Sequence, residues 1–397
     1  MATLGVLLFA YVLSQFFRAF LAIVASELTR ELGLDAAQLG SLSAVWFAAF
    51  AFAQFPVGVT LDRFGPRGTI AGFMLLAVAG ATWFAMAHSF ADLLWAMALI
   101  GAGCAPVLMG SLYYFGRTAP PERFAMMASI VIGVGSFGNL LGATPLALAV
   151  AQFGWRPSIG AIAAVTALSA ALVAVTLRDP PRLASKGGPD GIVDGLVEIA
   201  TLRPLWALLP LAMLSYAVVI ALRSLWIAPY FAGVHGFDAA ARGEAATAMG
   251  AAISIGALAY GPIERWAGGP KRVTLAGSVA TGAALLALGV PGWLGAPAAV
   301  TLYVVIGAAG MTYGILMAHA RLFFPPHLLG RGVTALNFVF IGGAGLLQWM
   351  SGRFVQAGID RGAPPAETYA GLHLALAAAL LLATAVYAFA PARPQPA

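Results

Sequence analysis

The chain has 397 residues, 61% of them hydrophobic and 9% charged, with a mean hydropathy of +0.90. Soluble domains carry roughly 25% charged residues, so a chain lying mostly in water is excluded. The net charge of +6 would suggest nucleic acid for a soluble protein. Here it belongs to short loops, where the preference of Lys and Arg for the cytoplasmic side of a membrane accounts for it, and no nucleic-acid partner is expected.

Apolar runs of about 20 residues are long enough to cross a bilayer as helices. Twelve occur, at 4–26, 38–61, 69–87, 92–115, 124–150, 157–177, 204–232, 241–263, 272–290, 297–320, 332–357 and 367–390. In hydrocarbon, backbone groups are satisfied only within a helix or a closed barrel. The alternation of barrel strands in units of about ten residues is absent, so the fold class is an all-α membrane protein. The first run is too long for a signal-peptide core and has no charged stretch before it, so it is expected to stay in the protein.

Span 1, LGVLLFAYVLSQFFRAFLAIVAS, holds Arg18 deep inside it. A guanidinium there costs about 3 kcal/mol on insertion scales, and arginine does not escape by losing its proton. Tyr11 stands seven residues earlier, about two helical turns, which places both on one helix face. Gln15 lies between them at spacings of four and three, either lining a cavity or bonding a neighbouring helix. Trp46 in span 2 is a further candidate for the path, with plain packing as the alternative. After span 2 comes GVTLDRFGPRGTIAG, carrying Asp62, Arg63 and Arg67.

Cys104, the single cysteine, lies inside span 4, so no intrachain disulfide and no Cys/His metal spacing exist and no cofactor is expected. In span 5, Asn139 sits among glycines (GVGSFGNLLG), spacing that lets helices approach closely; the asparagine is either packing or ligand-facing. Residues 178–203 form the one long hydrophilic stretch. Its Pro/Gly start reads as a linker, and Gly191 to Leu202 has the spacing of a short helix on the inner membrane surface.

Span 7 repeats the expense of span 1: Arg223 lies mid-run with Tyr216 seven residues before it (223 − 18 = 216 − 11 = 205). The loop after span 8, GPIERWAGGPKRVTLAG, echoes the loop after span 2, with Glu264–Arg265 in place of Asp62–Arg63. Span 10 contains Tyr313 and ends at His319, which could titrate to couple protons or simply meet the interface. Span 11 carries Asn337 (LNFVFIGGAG). The chain therefore divides into bundles of six at 1–177 and 204–397. With the N-terminus inside, fourteen Lys and Arg face the cytoplasm and five (Arg30, Arg156, Arg242, Arg353 and Arg361) the other side, so both termini are expected inside.

GVTLDRFGPR, with Gly58, Asp62, Arg63, Gly65 and Arg67, resembles the loop 2–3 signature of the major facilitator superfamily, and Gly154-Trp155-Arg156 before span 6 also resembles that family. The resemblance implies two pseudo-symmetric six-helix bundles that rock about a central cavity lined by helices 1, 4, 7 and 10. It also implies a bacterial-type inner membrane protein. Paired arginines on helices 1 and 7 resemble the organophosphate/phosphate exchanger branch. Nitrate/nitrite carriers of the superfamily have theirs on helices 2 and 8, which here have no mid-span arginine. Drug exporters carry a buried arginine in helix 4 where this chain has Met97, and a fuller Gly-Pro pattern in helix 5 than Gly142-Ala-Thr-Pro145.

The expected function is secondary transport of a small organic anion, carboxylate or phosphate ester, bound by Arg18 and Arg223 through their bidentate forks. Tyr11, Tyr216, Gln15, Asn139, Asn337, Tyr313 and Trp46 are the other candidate binding residues. Asp62, Arg63, Arg67, Glu264 and Arg265 are expected to latch the cytoplasmic side. No Asp or Glu lies mid-span to relay protons, which favours anion exchange or gradient-driven flux, with coupling through His319 as the other route. A proton-coupled exporter of hydrophobic drugs is the competing carrier. An enzyme is not expected, since no nucleophile, metal site or acid–base pair clusters. A monomer in the lipid bilayer is assumed.

Overall fold

A computed structural model of the chain describes residues 2–118, 127, 130–131, 133–135, 137–180, 198–199, 201–292, 294–325 and 329–393. Of the expected surface helix at 191–202, only residues 198–199 and 201–202 are among the described residues. Among the described residues all regular structure is helical. Eight helices among the described residues are long and apolar enough to cross a membrane, and a bent pair makes a ninth. Three further expected spans coincide with Pro270–Leu288, Leu329–Asp360 and, in part, Thr144–Phe153. Boundary differences reach six residues: span 1 ends at Leu32 rather than 26, and span 3 starts at Arg63 rather than 69. Each helix runs past its apolar stretch, so its charged end turn reads as loop in the sequence.

The chain separates into two compact units. The first holds Met1–Ala184, Ser224–Ala232 and Gly236–Thr247; the second holds Ser185–Arg223, Gly233–His235 and Ala248–Ala397. The first unit begins with α1 (Ala2–Phe16) and α2 (Phe20–Leu32), which together make span 1. Next come α3 (Ala36–Leu61) and α4 (Arg63–Met86). Asp35 caps α3 by accepting from the Gln38 N–H at 2.6 Å while Gln38 accepts from the Asp35 N–H. Gly65, at φ 78°, interrupts the helical backbone within the first turn of α4, in a backbone region that favours glycine.

Span 4 comprises α5 (Phe90–Cys104) and α6 (Pro106–Thr118). Ser89 and Asp92 form a capping box at its start. After α7 (Phe137–Leu141) and α8 (Thr144–Phe153), α9 (Trp155–Thr176) completes the sequential part of this unit. A Cβ on Gly101 would lie 2.2 Å from the Trp46 carbonyl oxygen, and one on Gly138 2.0 Å from that of Val12. These glycines thus let α5 meet α3, and α7 meet α1, at backbone contact.

Glu31 ties three helix ends together in the first unit. It accepts from Trp155 Nε1 at 2.6 Å and from Arg156 Nε and Nη2 at 3.1 and 2.7 Å. Arg156 Nη1 also donates to the carbonyls of Ala85 and Ala87 at the end of α4. The Gly154-Trp155-Arg156 motif is thus a clasp for helix ends.

Span 7 comprises α10 (Leu209–Ala221), a π-turn at Leu222–Trp226 and α11 (Ile227–His235). Then follow α12 (Ala239–Ala267), α13 (Pro270–Leu288), α14 (Ala296–Gly310), α15 (Tyr313–Arg321), α16 (Leu329–Asp360) and α17 (Pro365–Ala388). The first unit takes in the start of α12, where Arg242 Nη1 donates to Ser26 Oγ at 3.1 Å and Thr247 Oγ1 lies 2.7 Å from Thr144 Oγ1. In the second unit, Lys271 Nζ donates to the carbonyls of Ala388 and Ala390 at 2.7 and 2.6 Å, holding the end of α17.

Candidate functional site

Spans 1, 4, 7 and 10 are each irregular part-way along. The sequence reading treats them as unbroken helices, and in that detail it is corrected. Span 1 breaks at residues 17–19, with a bend of 41° between its halves. Arg18 and Ala19 donate to the carbonyls of Gln15 and Phe16, three residues back, so the turn is tightened to a 3₁₀ pattern. Arg18 lies in this break. The next helix, α2, starts two residues later with no side chain capping its first turn. The partial positive charge of a helix N-terminus and the guanidinium therefore act with one sign at one place.

In span 7, Arg223 occupies the π-turn, buried to 1% exposure. π-turns are rare and concentrate at functional sites. The boundary between the two compact units falls between Arg223 and Ser224. Tyr11 and Arg18, and likewise Tyr216 and Arg223, do not share one continuous α-helix, because each arginine lies within the irregular turn that follows the helix carrying its tyrosine. Both tyrosines are nevertheless buried.

The surroundings of Arg18 are aromatic. Its Cζ lies 4.8 Å from the centroid of Phe50 and 5.7 Å from that of Trp46, within cation–π range. Trp46 and Phe50 stack on each other at 5.3 Å. Arg18 and Trp46 are thus brought together as candidates, and Phe50 is a neighbour that the sequence reading missed. It lies four residues beyond Trp46, one turn along α3, and that spacing was the available signal. Gln15 Nε2 donates to Tyr11 Oη at 2.8 Å, which makes these two a pair on α1.

The second unit gathers three other candidates. Tyr313 Oη donates to Asn337 Oδ1 at 2.8 Å, and the rings of Tyr216 and Tyr313 are 5.6 Å apart. Phe340 packs edge-on against Tyr313 at 4.5 Å. The Asn139 side chain lies outside the described residues. His319 shares a 2.6 Å hydrogen bond through Nδ1 with Tyr387 Oη, and its Nε2 is 3.1 Å from the Pro391 carbonyl oxygen. Those partners make it a clasp on the end of α17.

Of the expected latch residues, the side chains of Asp62 and Arg265 lie outside the described residues. Arg63 stacks on its neighbour Phe64, and the Arg67 N–H donates to Asp179 Oδ1 at 2.8 Å. The Glu264 carbonyl accepts from the Gly269 N–H. Two further residues escaped the sequence reading. Gln54 Nε2 donates to the carbonyl of Ala105, at the break in span 4, at 3.3 Å. Tyr260 Oη donates to the carbonyl of Ala309, beside the break in span 10.

The chain matches the family model of the Major Facilitator Superfamily over residues 7–348. A relative described as a nitrate/nitrite transporter, from Nostoc punctiforme, is 26% identical over 47% of this chain and 38% of its own length. One described as a probable L-galactonate transporter, from Escherichia coli, is 30% identical over 38% of this chain and 33% of its own. In both cases the chain therefore spans well under half of the relative's length. Among solved structures, a bacterial homologue of the human lysosomal transporter Spinster superposes with a TM-score of 0.80 at 19% identity, covering 99% of this chain and 98% of that one. The nucleoside transporter NupG gives 0.77 at 13% identity, covering 98% of each chain. These likenesses establish the fold, and with the family match they lead to one conclusion: the chain belongs to the Major Facilitator Superfamily, a family of transporters and not of enzymes.

Proposed function

We propose that the chain carries a small organic anion, a carboxylate or phosphate ester, by alternating access, with Arg18 and Arg223 as its anion-binding residues. The observation that carries the reading is where the two arginines sit. Each occupies the irregular turn of the corresponding span in its half of the chain. Interrupted membrane helices are where transporters of other families place their substrate and ion sites. A guanidinium fork offers two parallel hydrogen bonds to carboxylate or phosphate oxygens. The descriptions of the relatives, nitrate/nitrite and L-galactonate, name small anions and support the same class.

Residues 1–177 and 204–397 act as the two rocking repeats, joined by 178–203, in an inner membrane with both termini cytoplasmic. The charged loops Asp62–Arg67 and Glu264–Lys271 latch the cytoplasmic side. Each also braces its own unit, through Asp179 in one case and the end of α17 in the other. With no carboxylate mid-span, exchange of one anion for another is the favoured mode.

Uptake into liposomes holding the purified protein tests this, using small carboxylates, phosphate esters, nitrate and a lipophilic cation. An organic anion is expected to be accumulated in exchange for internal anion. Arg18→Ala and Arg223→Ala should insert normally and abolish that uptake. Normal transport by either alanine variant contradicts the reading. A second reading, transport of nitrate or nitrite, is favoured by two relatives described that way, and nitrate uptake without organic-anion uptake would select it. Uptake of the cation alone would select the drug-exporter alternative.

A further inference from the structure

Spans 7 and 10 meet at one glycine. Gly310 is the last residue of α14. Its carbonyl accepts from the Thr312 N–H at 2.8 Å, two residues on, which is a turn too tight for the helix to continue. The φ of Gly310 is not positive, so the backbone itself would accept another residue there. The surroundings would not. A Cβ would press into Val219 Cγ2 of α10, closer than carbon atoms come without one of them shifting, and would lie 3.2 Å from Thr281 Oγ1 of α13. Neither neighbour turns aside easily. Valine in a helix keeps one strongly preferred rotamer, and the Thr281 hydroxyl donates to the Gly277 carbonyl at 2.8 Å. Tyr260 Oη holds the Ala309 carbonyl, which ties the end of α14 to α12.

Val219 leads directly into the turn that carries Arg223. It lies four residues before the arginine, about one helical turn. Its carbonyl accepts from the N–H of Leu222, the first residue of the π-turn. The first unit has the same arrangement in different chemistry. Ser14 lies four residues before Arg18, at the offset that separates the two arginines (219 − 14 = 205). Its hydroxyl donates to the Cys104 carbonyl at 3.3 Å, where α5 ends at the break in span 4. In each unit, the residue one turn before the arginine therefore touches the break of the next irregular span.

Building on the reading of Arg223 as an anion-binding residue, we propose that Gly310 is a positioning residue for it: the missing side chain lets Val219 seat against the break in span 10, and that seat fixes where the π-turn presents the guanidinium. Gly310 itself touches no ligand. It acts through Val219, so its effect depends on the combined size of the two side chains.

Dissociation constants of the purified full-length protein for succinate, glycerol 3-phosphate and nitrate test this, read on whichever binds most tightly. Gly310→Ala is expected to weaken binding about tenfold or more, since the added methyl overpacks a fixed contact. Val219→Ala empties the seat and should weaken binding about threefold or more. The double variant exchanges the two volumes and should return to within about twofold of the wild type. A glycine with a merely structural role would shift the melting temperature without this recovery of affinity. Binding like that of the wild type in either single variant, or a double variant no tighter than Val219→Ala, overturns the proposal. The comparison of the double variant with Val219→Ala stands even if Gly310→Ala alone fails to fold. Binding of none of the probes by the wild type, or binding unchanged by Arg223→Ala, would instead show that the anion reading beneath it has failed.

Discussion

A guanidinium lying against two aromatic rings is fixed in orientation as well as in charge. Arg18 has this arrangement with Phe50 and Trp46, and such contacts contribute about 0.5–2 kcal/mol. Lysine keeps the charge but has neither the plane nor the fork. Arg18→Lys is therefore expected to lower the initial rate of anion uptake by about tenfold or more; a rate like that of the wild type would mean that charge alone suffices. At the same scale, Glu31 holds Trp155 and Arg156 at once. A lone exposed ion pair contributes about 0–1 kcal/mol, but here an indole bond is lost too. Glu31→Gln should cost about 1–2 kcal/mol in a denaturation experiment, and an unchanged midpoint would refute the clasp. The arginines are legible in the sequence because mid-span charge is rare. The partners of Glu31 and Tyr313 are not, since they lie 124 and 24 positions away, and no local pattern encodes such pairs.

Among the elements, the interruptions carry the argument. Breaking a helix frees carbonyls that hydrocarbon cannot satisfy. Gln54 serves the Ala105 carbonyl and Tyr260 serves that of Ala309. These are a helix 2 to helix 4 bond and a helix 8 to helix 10 bond, at matching places in the two halves. Removing the second donor with Tyr260→Phe is expected to destabilise the protein by about 1–2 kcal/mol. A melting curve that does not move would show that the carbonyl finds another donor. The breaks are poorly legible in sequence because an apolar run reads alike whether the helix is straight or broken. Pro106 marks the break in span 4, yet Pro56 and Pro262 sit inside helices that continue through them. Spans 1 and 7 have neither Pro nor Gly at their irregular turns, so nothing local announces them.

For the whole molecule, length and hydropathy carry most of the fold. Twelve apolar runs and one duplicated loop motif lead to the superfamily that the family match then shows. The grouping of most of the second half of span 7 and the start of span 8 with the N-terminal helices is not written in either pattern. Within that unit, Thr144 and Thr247 come from different halves of the sequence and meet at 2.7 Å. If transport requires the halves to part there, a disulfide formed between cysteines at these two positions should stop uptake and a reductant should restore it. The native Cys104 is buried and should not interfere. Full cross-linking with undiminished uptake would place the moving seam elsewhere.

The central claim is tested most directly by equilibrium binding of a transported anion to the purified protein, compared with Arg18→Ala and Arg223→Ala. Removing one partner of a buried, hydrogen-bonded charge pair costs about 2–5 kcal/mol, so each variant should bind at least about thirtyfold more weakly than the wild type. Undiminished affinity in either alanine variant would contradict the account.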